Sequence, residues 1–127
     1  MPAKCLVVYS YASTSGDAGD TEVLLGVVPD EKALVGVSRE IRARFGKRPF
    51  GAEHDVPWYR TSPAAGRVYV VVNCETCRAV GRAVFEDISA ARAFAEQERA
   101  YGDEVILVPM MMGVMDYSRF GVGSRCS

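Results

Sequence analysis

Val68-Tyr69-Val70-Val71-Val72 is the clearest strand in the chain: five consecutive β-branched or aromatic residues with no helical period. Residues 79–85, AVGRAVF, read as its partner, and Asn73-Cys74-Glu75-Thr76-Cys77-Arg78 as the turn between them. Asp87-Ile88-Ser89 then opens a helix with Ala90, Phe94, Gln97 and Tyr101 at its three-and-four spacing, and Gly102 stops it. A last strand is expected over residues 104–108, running on toward Met112.

The same order is legible upstream. Cys5-Leu6-Val7-Val8-Tyr9 and residues 22–28, EVLLGVV, read as two strands joined by the polar loop 12–21. Pro29-Asp30-Glu31 starts a helix, with Asp30 as cap and Glu31 at the positive end of the dipole. Leu34, Val37, Ile41 and Phe45 share one face, Gly46 ends it, and Gly36 either allows close packing or weakens it. A shift of 56 residues carries Phe45-Gly46 onto Tyr101-Gly102, so the halves 4–46 and 67–112 share a strand-strand-helix pattern.

This predicts an α+β fold with a mostly antiparallel sheet and two helices on one face. Two groupings fit: a ββα-type pseudo-repeat, or a ferredoxin-like βαββαβ unit with an extra N-terminal strand. Residues 1–127 are expected to form a single domain, with a linker over 47–66 (Pro49, Pro57, Pro63, Gly51 and Gly66) and a C-terminal tail over 113–127. Within the linker, Val56-Pro57-Trp58-Tyr59 reads as an edge segment or lid.

Composition narrows the function classes. With 15 Lys plus Arg against 16 Asp plus Glu, the formal net charge is −1, which argues against a dedicated nucleic-acid binder. The longest apolar stretch, 105–115, contains Pro109 and Gly113 and is too short for a bilayer. No secretory leader pattern is present, so a cytoplasmic location with reduced cysteines is the expectation.

Three constellations could carry chemistry. Cys74 and Cys77 form a C-x-x-C turn whose two thiolates could hold zinc, with Cys5, Cys126 and His54 as further ligands. His54, between Glu53 and Asp55, could serve a small-ligand pocket or small enzyme together with Tyr59 and Arg60. Charge is also segregated. Arg39, Arg42, Arg44, Lys47 and Arg48 against Glu40 make the end of the first helix net +4. The surroundings of the second helix, with Glu86, Asp87, Glu96, Glu98, Asp103 and Glu104 against Arg92 and Arg99, are net −4. The stretch Met110-Met111-Met112-Gly113-Val114-Met115 adds soft, adaptable side chains.

No catalytic set is complete, so the leading expectation is a non-enzymatic binding or regulatory module. It contacts a protein partner or itself, as a homodimer, through Arg39, Arg42, Arg44, Trp58, Tyr59, Met112 and Met115. The alternative is a zinc protein built on Cys74 and Cys77. No resident cofactor is otherwise expected.

Overall fold

Cys5, Leu6, Val7, Val8 and Tyr9 are all buried. A strand with no polar alternation needs cover on both faces, and the architecture supplies it. In the computed structural model, which describes residues 3–11, 22–56, 66–76, 78–80 and 84–122, this run lies in β1 (Ala3–Tyr11). β1 is the centre of a three-stranded antiparallel sheet, flanked by β2 (Glu22–Val28) and β3 (Phe50–Val56) in the order β2-β1-β3. β4 (Arg67–Asn73) and β5 (Val105–Met111) pair antiparallel in a second sheet.

One face of β1 and β2, with Cys5, Val7, Tyr9, Leu24 and Val27, shares a core with Val68, Val70, Val72, Val108, Met110 and Met112 of the second sheet and its continuation. The opposite face, with Leu6, Val8, Val23, Leu25 and Val28, packs on Ile41 of α1 (Glu31–Phe45). In the second sheet Val71 and Val105 pack with Ala91 and Ala95 of α2 (Ile88–Ala100). The layers therefore run helix, sheet, sheet, helix. The α+β class, the antiparallel pairing and the ββα pattern hold, but the helices do not share one face. Each lies on the outer face of its own sheet, because β1 and β4 are apolar on both sides and each needs two covers.

A bulge opposite Val8 and Tyr9 shifts the β1–β2 register, so Leu24 and Val27 both turn inward while Leu25 and Val28 turn toward α1. α1 begins and ends where its sequence signals lie. The Asp30 carboxylate accepts the Ala33 N–H at 2.8 Å, and Gly46, at φ 65°, donates its N–H to the Arg42 carbonyl. α2 is capped by Asp87, which accepts from the Ser89 N–H, and Gly102 follows it at φ 96°. Its buried residues are Ala91 and Ala95, flanked by half-buried Ala90 and Phe94; Gln97 and Tyr101, expected on that face, are exposed.

Two further expectations are corrected. The linker 47–66 contains β3, which pairs along β1 from Ala3↔Val56 to Tyr9↔Phe50. Its sequence FGAEHDV carries little strand propensity, and the strand exists because the central strand offers it a backbone ladder. Residues 79–85 touch β4 through two isolated bridges, Val72↔Ala79 and Tyr69↔Phe85, rather than a continuous ladder; residues 81–83 lie outside the described set. Tyr69 exchanges both backbone hydrogen bonds with Phe85, at 2.6 and 2.9 Å, so its β5 neighbour Pro109 is not asked for the N–H it lacks.

Between the two groupings, the pairing follows the pseudo-repeat. The first half runs strand, strand, helix, strand, the second has the bridged segment 79–85 in place of its second strand, and in both the strand after the helix returns beside the first: β3 on β1, β5 on β4.

The halves are also clasped by polar contacts. Ala79 donates its N–H to the Tyr9 hydroxyl at 2.9 Å, and Arg78 pairs with Glu22 at 2.5 Å while lying over the Tyr9 ring. Burial pushes the Tyr9 hydroxyl's pKa above its ordinary value. Among the described residues, no helix is long and apolar enough to cross a membrane.

Candidate binding face at the end of the first helix

The C-terminal segment decides what the end of α1 looks like. After β5 the chain crosses β2. Gly113 and Asp116 donate their N–H groups to the Val27 and Leu25 carbonyls at 2.7 and 2.8 Å, and Arg119 Nε donates to the Leu24 carbonyl at 2.7 Å. The outer edge of β2 is thereby occupied, which removes a template for unwanted strand pairing. The segment then turns into a short 3₁₀ helix, Tyr117–Val122, started by Asp116, whose carboxylate accepts the Ser118 N–H and hydroxyl.

This brings Tyr117 and Phe120 against Phe45, at ring-centroid distances of 4.9 and 5.0 Å. Cations cover the ring cluster. The Arg44 guanidinium lies 5.2 Å from the Phe45 centroid and 4.8 Å from that of Tyr117, and Lys47 Nζ lies 4.5 Å from that of Phe120. Arg44 also pairs with Glu40 at 3.0 Å. Burial in the cluster, and then the Glu40 carboxylate, raise the pKa of Tyr117.

The following turn is held from below. Buried Ser10 donates its hydroxyl to the Arg48 carbonyl at 2.8 Å, and Lys47 Nζ donates to the Tyr11 carbonyl at 3.0 Å. Arg42, Gly46, Lys47 and Arg48 line an open depression of about 420 Å³. Arg39, Arg42 and Arg48 are exposed and make no ion pair among the described residues. Positive charge at a helix C-terminus is favoured by the dipole, so the face is stable as built. Its chemistry is that of forked guanidiniums beside aromatic planes, which suits carboxylates.

The expected site residues divide. Arg39, Arg42 and Arg44 lie together on α1. Met112 does not belong to a contact surface: it is 6% exposed and part of the core between the sheets. Met115 packs beside the α1-side core, with its methyl group over Gly26. Met112 is thus an anchor of the core, while Met115 is half-buried where the tail lies across β2. Trp58, Tyr59 and Arg60 fall outside the described residues, as do Cys77 and Cys126.

Cys74 is half-buried at the turn after β4 and donates its N–H to the Glu104 carbonyl, while Cys5 is buried in the core between the sheets. Among the described residues, no three potential ligands stand together as a metal site. The backbone of His54 pairs with Cys5 in the β1–β3 ladder.

The sequence reading did not include Tyr117 and Phe120. The only signal for them is two aromatics three apart in the tail, and their target, Phe45, is far away in sequence. Comparison with models of known protein families, with curated proteins and with solved structures found no match.

Proposed function

We propose that the chain is a non-enzymatic binding module that recognises a protein partner through the basic, aromatic end of α1. The carrying observation is that Arg42, on the last turn of α1, and Arg48, whose carbonyl is held by Ser10, are exposed beside Arg44 and Lys47, which are held over rings. A fixed scaffold lowers the ordering cost of binding, and Arg beside aromatic rings is the side-chain chemistry enriched at interface hot spots. An acidic protein surface fits better than nucleic acid, because the basic face is local and the chain as a whole is net −1. A reducing, cytoplasmic setting belongs to the same reading.

A photo-crosslinking amino acid placed at Arg48, in the native cells, tests this. Discrete protein adducts are expected from position 48. They should vanish when Arg42→Glu and Arg44→Glu are added, and none should form from Lys32 at the far end of the helix. Adducts that ignore the charge reversal, or none at all, would overturn the reading.

A further inference from the structure

The repeat places opposite charges at equivalent positions. The shift that carries Gly46 onto Gly102, both at positive φ just past their helices, carries Arg42 onto Glu98, Lys47 onto Asp103 and Arg48 onto Glu104. Both sites are depressions. The second, of about 540 Å³, is lined by Gly102, Asp103 and Glu104 together with Cys74, Arg99 and Val105. The acidic side chains there sit at a helix C-terminus, where the dipole disfavours them, so helix stability does not account for their placement.

A second difference is independent of charge. Phe45 is covered by Tyr117 and Phe120, whereas its counterpart Tyr101 has no such cover and is 76% exposed, the most exposed of the large apolar side chains described. An exposed tyrosine followed closely by two carboxylates, Asp103 and Glu104, is a contact shape, and the depression lined by Arg42, Lys47 and Arg48 is its complement in charge and in ring chemistry.

We propose that the partner, or one partner, is a second copy of this chain: Tyr101, with Asp103 and Glu104 beside it, seats in the Arg42, Lys47 and Arg48 depression of the next molecule. The inference rests on the reading that the end of α1 is a binding face. The contact is head-to-tail, so association continues into a ring or a chain of copies.

Sedimentation velocity across a concentration series tests it with four proteins. Wild type is expected to gain mass with concentration and to return to monomer in half-molar salt. Arg42→Glu/Arg48→Glu and Asp103→Arg/Glu104→Arg, each alone, are expected to stay monomeric. Mixed one to one they should associate again, since the first retains the acidic Tyr101 end and the second the basic depression. This restoration also shows that both variants are folded. Adding Tyr101→Ala to the first variant should weaken the mixed complex about tenfold or more.

Wild type that stays monomeric at millimolar concentration, association indifferent to both reversals, or a mixture that fails to associate would each overturn the proposal. If adducts at Arg48 then persist on a foreign acidic protein, the self-contact falls and the binding face stands.

Discussion

Two glycines show how much the setting of one residue decides. Gly36 lies inside α1 with open space around the position a Cβ would take, so its missing side chain serves no contact. Gly36→Ala is expected to stabilise the protein by roughly 0.5–1 kcal/mol through the lower backbone entropy of the unfolded chain. Gly26 is the opposite case. A Cβ there would stand 2.5 Å from Met115 Cε and 3.0 Å from the Val114 carbonyl oxygen. The methionine end can swing aside, but the carbonyl cannot move without lifting the tail. Gly26→Ala is therefore expected to destabilise by about 1–3 kcal/mol, as overpacking does, and Met115→Ala should recover only part of the loss. Urea denaturation of the three variants and the double variant measures both signs, and a neutral Gly26→Ala would refute the close packing of the tail.

At the scale of elements, legibility followed how local each cause was. α1 could be read to its ends because Asp30, Glu31 and Gly46 act within one turn of themselves. The strand Cys5–Tyr9 was legible as a strand, and its lack of alternation carried the two-sided burial that separates the helices onto different sheets. β3 was hidden, since its cause lies in β1, some fifty residues away in sequence. In the binding face, the arginines of α1 were visible from their clustering, whereas Tyr117 and Phe120 depended on where the tail lands. The methionines are ambiguous in sequence for the same reason: soft side chains suit an interface and a core equally, and the tail's path across β2 buries Met112 and half-buries Met115. That path makes a prediction. Arg119→Ala deprives the Leu24 carbonyl of its side-chain donor and is expected to cost about 1–2 kcal/mol. Amide exchange at Gly113 and Asp116, whose N–H groups close on β2, should quicken with it. Unchanged exchange at both amides would mean that the segment is held by its rings alone.

The whole molecule is two similar units that each lack something. The inner face of the first, Cys5, Val7, Tyr9, Leu24 and Val27, is apolar but for the Tyr9 hydroxyl and, among the described residues, shares its core with the second. The second unit contributes the tail that closes the β2 edge and the amide that meets the Tyr9 hydroxyl. A monomer does not leave so large an apolar face in water, and a unit of about sixty residues has little other core to draw on. Fragments 1–60 and 61–127 made separately should therefore show no cooperative melting. Mixed, they should recover native-like near-ultraviolet circular dichroism and a single transition, because among the described residues the halves are joined by apolar packing and hydrogen bonds. The reassembled pair should be less stable than the intact chain and should gain stability with concentration, since association replaces an intramolecular step. Were either fragment alone to melt cooperatively as a monomer, the shared core between the sheets would not be what holds the fold, and the layered order of helix, sheet, sheet and helix would need another explanation.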